Sequence, residues 1–164
     1  MTFDHKAQTF SSDMAAAATR ATREREYWLK QLSGAPEKTC FPYDFDRGGT
    51  AIVETETFRI PGDLYSKLAW ISNDSNSRLL MLLVSGVFLL LNKYTNNQDI
   101  IIGMPIFKQE VEGSFINSAL ALRTTAQENA TFKELLYRVK QVITEAVAHQ
   151  NYPLRTLIHE LNLS

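Results

Sequence analysis

The stretch from Arg78 to Ile106, RLLMLLVSGVFLLLNKYTNNQDIIIGMPI, constrains the fold of this chain more than any other. Between Leu79 and Leu91, only Ser85 and Gly86 are not large and apolar. The run falls short of the ~20 residues that cross a bilayer, and Arg78 and Asn92-Lys93 close its two ends. A helix apolar on nearly every side is expected inside a protein, with packing partners all round. After Thr95-Asn96-Asn97-Gln98-Asp99, the run Ile100-Ile101-Ile102 lacks alternation and predicts a strand covered on both faces. Helix, polar turn and strand together ask for a larger body than the rest of the chain readily supplies.

Other properties of the chain narrow its class. Its 164 residues fit one domain, and 45% hydrophobic content is that of a globular protein. A net charge of −1 gives no electrostatic reason to expect nucleic acid or an anionic membrane as partner. Cys40 is the single cysteine, which excludes an intrachain disulfide and fits a reducing compartment. Met1 to Lys6 lacks the apolar core of a signal peptide, so a cytoplasmic location is expected.

In chain order, residues 1–12 are expected to be a flexible polar tail, with one domain over 13–164. A helix is predicted from Asp13 to the stop at Ser33-Gly34, anchored by Tyr27, Trp28 and Leu32, with Arg20 to Glu26 as a solvated face. Pro36 to Gly49 is a loop in which Asp44 and Asp46 read as ordinary loop carboxylates rather than a metal or acid–base pair. Ala51 to Ile60 is a strand candidate with imperfect alternation. Pro61-Gly62-Asp63 opens a short helix with Leu64, Leu68 and Ile71 on one face, and Ser77 is placed as the cap of the central helix.

Beyond that helix, Gly103-Met104-Pro105 is expected to stop sheet pairing. Phe115 to Arg123, FINSALALR, reads as a further strand in which Asn117 is either a structural hydrogen bonder or a group presented to a ligand. Thr131 with Glu134 forms a capping box for an amphipathic helix carrying Phe132, Leu135, Leu136, Val139, Val142, Ile143 and Ala146. His149 to Tyr152 ends it, and Pro153 begins a last short helix. A histidine at a helix end beside the negative pole is more often structural than a catalytic base; His159 is expected to face solvent.

Motifs alone yield no active site. No nucleophilic triad, phosphate-cradling glycine loop or metal-ligand spacing is present, so no catalytic residue and no metal ligand is assigned. A redox or acyl-carrying role for Cys40 has little in its favour.

Four segments in order carry a resemblance: Tyr27 to Gly34 (YWLKQLSG), LLNKYTNNQDIIIGMPI, Gly113-Ser114-Phe115-Ile116-Asn117-Ser118, and His149-Gln150-Asn151-Tyr152-Pro153. Across roughly residues 24–164 the chain resembles condensation domains of nonribosomal peptide synthetases. The resemblance implies an α/β fold: part of a chloramphenicol-acetyltransferase-like half-domain, a mixed sheet with helices packed on it, from the carboxyl-terminal half. In the family two such halves form a V, and carrier-bound donor and acceptor meet at a motif of two adjacent histidines in the amino-terminal half. No two of His5, His149 and His159 are adjacent, and that half is absent. Asn151, Leu154 and Arg155 depart from the family pattern, and one extra residue between Asn117 and Arg123 bears on strand register.

By resemblance, Asn117 lies near the tunnel and His149, Gln150, Tyr152 and Pro153 near its floor, none of them as the base. The expectation is a truncated, catalytically inactive condensation-like domain, the leading segment of a larger synthetase and a scaffold in peptide natural-product biosynthesis. Implied partners are adenylation and carrier domains; no cofactor is bound directly, and phosphopantetheine comes with the carrier protein. Alternatives are a split enzyme completed by another chain, or a homo-oligomer formed by a self-associating binding module.

Overall fold

The computed structural model describes residues 21–34, 39–42, 55–106, 117–125 and 129–161. Seven helical or extended elements lie within them: helix α1 (residues 21–32), α2 (Gly62–Ser72), α3 (Asn76–Thr95), strands β1 (Asp99–Pro105) and β2 (Ala119–Thr125), α4 (Phe132–Ala148) and the short α5 (Leu154–Glu160). The two strands pair antiparallel. Two compact units share this chain, one drawn from residues 1–37, 101–123 and 142–164, the other from 38–100 and 124–141.

In the first unit the core is Trp28, Leu32, Met104, Leu120, Leu122, Ile143, Ala146 and Leu157. Trp28 and Leu32 anchor the end of α1 as the sequence predicts, and Gly34 at φ +89° stops the helix in a conformation that favours glycine. Arg123, at the end of β2, caps that stop: its guanidinium donates to the carbonyls of Gln31 and Ser33, while Gln31 Nε2 donates to the Arg123 carbonyl at 3.2 Å. The face expected to be solvated is not wholly so. Glu24 is buried, and Arg25 pairs with Glu160 at 3.0 Å.

Several expectations for strands require correction. Residues 55–60 take no regular structure, pair with no strand among the described residues and are exposed, in keeping with an imperfect alternation that offers no consistent apolar face; residues 51–54 lie outside the described set. β1 does not stop at Gly103. It runs through Pro105, and Ile106 N–H still donates to the Ser118 carbonyl, since the missing donor of Pro105 falls on the exposed side of the strand. β1 is not covered on both faces either: Ile100 and Met104 are buried, whereas Ile101 and Ile102 are half-buried and Gly103 is exposed. Regular structure in β2 starts at Ala119, and its buried residues Leu120, Leu122 and Thr124 alternate without a break, so the extra residue does not slip the register within the strand.

In the second unit, Pro61 caps α2, and Asn73 and Asp74, both left-handed, turn the chain into α3. The cap of α3 is Ser75 rather than Ser77: its hydroxyl accepts the Arg78 N–H. With its full 20 residues, α3 reaches the length and composition of a bilayer-crossing helix, longer than the apolar run alone. One face, Val84, Ser85, Phe88 and Leu91, packs in the core as in a soluble helix. The opposite face does not: Leu83, Val87, Leu89 and Leu90 are 39–47% exposed, so burial all round is not what the chain provides. Leu64 and Ile71 of α2 are likewise exposed.

The capping box forms as predicted. Glu134 Oε2 accepts the Thr131 N–H at 2.7 Å, and Thr131 Oγ1 accepts the Glu134 N–H at 3.3 Å. The Glu134 carboxyl is held below its ordinary value, chiefly by that backbone N–H and then by the Thr131 hydroxyl. Along α4, Val139, Ile143 and Ala146 are buried and Phe132 is largely exposed.

Candidate functional site: a clamp between two loop segments

The first unit brings the resembling segments around Asn117 and His149 into direct contact. Asn117 sits just ahead of β2, 7% exposed, and its Nδ2 donates to the carbonyl of Gln150 at 2.9 Å and of Tyr152 at 2.7 Å. One planar amide therefore holds two backbone carbonyls of the turn between α4 and α5. Asn117 thus makes the hydrogen bonds that its structural role calls for.

His149 is gripped from three sides. Its carbonyl accepts Trp28 Nε1–H at 2.7 Å, its Nδ1 lies 2.8 Å from the Glu145 carbonyl, and its ring stacks on Tyr27 with centroids 4.1 Å apart. A ring nitrogen facing a carbonyl carries the proton, so Nδ1–H donates and a neutral ring keeps Nε2 as its acceptor. Burial first, and the nearby Glu145 charge second, push the Tyr27 phenol up to about 12. Its hydroxyl is buried with no hydrogen-bond partner, as is Asn151 Oδ1.

The rest of the turn is tied outward. Tyr152 donates its phenol hydroxyl to Glu160 Oε1 at 3.2 Å, and burial followed by that bond raises its pKa. The Glu160 hydrogen bond and charge raise the Arg25 guanidinium in turn. Pro153 is exposed and caps α5. Trp28, Asn117, Leu120, Tyr152 and Leu157 close on one another without leaving room for a water molecule.

Asn117, His149, Gln150 and Tyr152 thus form one assembly, with Pro153 at its edge. Sequence reasoning missed Trp28 and Tyr27 as its supports, and Arg123 as the cap of α1. A cation closing an apolar strand was the one available signal for Arg123, and the partners of Tyr27 and Trp28 are too distant in sequence to be read locally. His159 is exposed, as expected, and Cys40 is an exposed free thiol. Asp44 and Asp46 lie outside the described residues, among which no three metal-ligating side chains cluster.

A separate cavity of about 100 Å³ lies in the second unit, lined mainly by apolar groups including Phe88, Ile100, Phe132 and Leu135. Arg138 closes one side by donating to the Thr125 carbonyl, and none of the predicted site residues reaches it.

Comparison with known proteins agrees with the motif order. Residues 9–164 match the family model described as the condensation domain. The chain is 37% identical over 145 residues to a linear gramicidin synthase of Brevibacillus parabrevis, an alignment covering 84% of this chain and 3% of that protein. It is 32% identical over 156 residues to bacitracin synthase 1 of Bacillus licheniformis, covering 90% of this chain and 3% of that one. Among solved structures, the SgcC5 protein of Streptomyces globisporus superposes with a TM-score of 0.71 at 27% identity, covering 96% of this chain and 37% of its own. The chain therefore spans a small part of each synthetase it matches and little more than a third of that solved relative. With the family model matched over nearly its whole length and synthetase relatives above 30% identity, the chain belongs to the condensation domain family of nonribosomal peptide synthetases.

Proposed function

We propose that these 164 residues serve as a wall-and-floor portion of a condensation domain and form no amide bond by themselves. The observation that carries this reading is the Asn117 clamp: the side chain nearest the expected tunnel spends its donors on the carbonyls of Gln150 and Tyr152. Amide formation needs a group to take a proton from the attacking amine. His149 is the nearest candidate, and its Nδ1 and one ring face are engaged in holding the turn, which leaves only Nε2 to act. No two histidines of the sequence are adjacent, so the family's base has no counterpart among them.

In this role the stretch is a scaffolding piece beside adenylation and carrier domains in a cytoplasmic synthetase. Phosphopantetheine would arrive on the carrier protein rather than be held by these residues themselves. A split enzyme completed by a second polypeptide is the alternative, favoured by the uncovered face of α3.

A condensation assay with aminoacyl-loaded carrier proteins tests both. The 164-residue chain alone should yield no peptide, and product from it alone overturns the proposal. Product appearing only after addition of a polypeptide bearing the double-histidine motif selects the split enzyme.

A further inference from the structure

The wall of the cavity in the second unit contains a hydroxyl that the packing does not explain. Thr124, near the end of β2, is 4% exposed, and its Oγ1 is buried without a hydrogen-bond partner. Among the described residues of that unit it is the only buried side-chain polar atom left so. A dry, unpaired hydroxyl is unfavourable, and valine has the same shape without that cost. Thr124 is also one of the residues lining the cavity of about 100 Å³. A buried hydroxyl without a partner therefore borders a space in which a partner can sit.

The remaining lining narrows what that partner is. Its other polar side chains are engaged within the chain: Asn92 Nδ2 donates to the Asn97 carbonyl at 3.0 Å, Thr131 Oγ1 donates to Glu134 Oε2 at 2.9 Å, and Arg138 donates to the Thr125 carbonyl. The Arg138 charge also acts on the Glu134 carboxyl, so this side of the cavity carries no surplus cation for an anionic ligand. Phe88, Ile100 and Leu135 supply apolar wall, and Leu89 and Phe132, 39% and 43% exposed, carry it out towards solvent. A trapped water needs two to four polar partners, more than this wall has left to give. An apolar cavity of about 150 Å³, only somewhat larger, stays dry and takes up benzene. Two phenylalanines in the wall favour a ring, which gains edge-on or offset contacts with them.

We propose that this cavity binds one uncharged aromatic alcohol of about the size of phenol, its ring against the apolar walls and its hydroxyl paired with Thr124 Oγ1. A plain hydrocarbon would fill the space and leave the Thr124 hydroxyl unpaired. A charged head would lose its hydration for a single neutral partner. All the lining residues belong to the second unit and none of Asn117, His149, Gln150 and Tyr152 is among them, so the inference does not depend on the tunnel-wall reading.

The test titrates phenol into the isotope-labelled 164-residue chain and follows its amide resonances. Shifts should saturate by about 10 mM phenol, above a millimolar Kd, and centre on Leu89, Ile100, Thr124 and Leu135 while Asn117 and Tyr152 stay in place. Thr124→Val deletes the hydroxyl, and Thr124→Ala does so should the valine variant not fold. Either should lower phenol affinity at least about threefold relative to toluene affinity, the scale of one neutral hydrogen bond. Thr124→Ser keeps the hydroxyl and should keep the ratio. Absence of saturation means that the cavity holds solvent only and overturns the inference. So does a smaller change of ratio on deleting the hydroxyl, or a change as large in Thr124→Ser. Shifts centred outside the cavity overturn it as well, as does benzoate binding more tightly than phenol, which would make Arg138 the anchor.

Discussion

The side-chain amide of Asn117 donates to the backbone carbonyl of Tyr152 at 2.7 Å across 35 residues of chain, and the same nitrogen donates to Gln150. The connection between the two most diagnostic segments is therefore a pair of hydrogen bonds from one side chain. Removing it strands two carbonyls in a place from which water is excluded.

Asn117→Ala should accordingly lower unfolding free energy by about 2 kcal/mol or more, the scale for leaving buried acceptors unpaired. Asn117→Asp should be at least as harmful at neutral pH, because a carboxylate would then face two carbonyl oxygens. Urea denaturation of the three proteins side by side decides this. A destabilisation below about 0.5 kcal/mol in both variants means the clamp carries little, since that is the scale of a neutral surface change.

Trp28→Phe keeps most of the buried ring but removes the Nε1–H that reaches the His149 carbonyl at 2.7 Å. A loss of about 1–2 kcal/mol is expected, most of it from the stranded carbonyl. Hydrogen exchange adds a local readout, with the amides of His149 and Gln150 losing protection before those at the start of α4.

Tyr27 makes the alkaline limb of the stability curve informative. Its phenol titrates at about 12 in the folded chain against an ordinary value of 10. A raised folded value means the folded state holds its proton longer. This contribution is fully present below pH 10 and is lost as pH rises from 10 through about 12. Tyr27→Phe should flatten that part of the limb and, by deleting a buried hydroxyl without a partner, leave neutral-pH stability unchanged or slightly higher. Thermal melts at stepped alkaline pH measure it. Tyr152, whose value is also raised, contributes a slope of the same sign.

At the acid end the Thr131–Glu134 box acts with the opposite sign. Glu134 is lowered from its ordinary value, so its contribution is present above that value and disappears as pH falls through the folded one. Thr131→Ala should cost about 1 kcal/mol at neutral pH, as loss of a helix cap does, and should flatten the acid limb. An acid limb that stays unchanged in Thr131→Ala would show that the box does not set it.

What was legible in the sequence was what is decided locally. The capping box, the Gly34 stop, the turn after α3 and, beyond the exposed Phe132, the apolar face of α4 depend on residues within a turn or two of one another, and each forms where expected. The fold family was legible because four segments keep their order. Misplacements arose where neighbours compete or tertiary context decides. Ser75 and Ser77 both offer a hydroxyl near the start of α3, and the β-rich composition of residues 55–60 meets no strand to pair with among the described residues. The clamp was illegible for the same reason: whether Asn117 serves structure or ligand depends on carbonyls 33 and 35 residues away.

The supports of α1 also fix an order of events. Trp28 waits for His149 over 121 residues, Arg25 for Glu160 over 135, and Gln31 for Arg123 over 92. A chain made from its amino terminus has α1 in hand long before any of these partners exists. Each closure fixes a loop of great length for a single interaction, so non-local pairing of this kind slows folding. Seating of α1 therefore waits for residues 149–160, and until they emerge Trp28 and Leu32 are apolar surface that the growing chain must keep from misassociating.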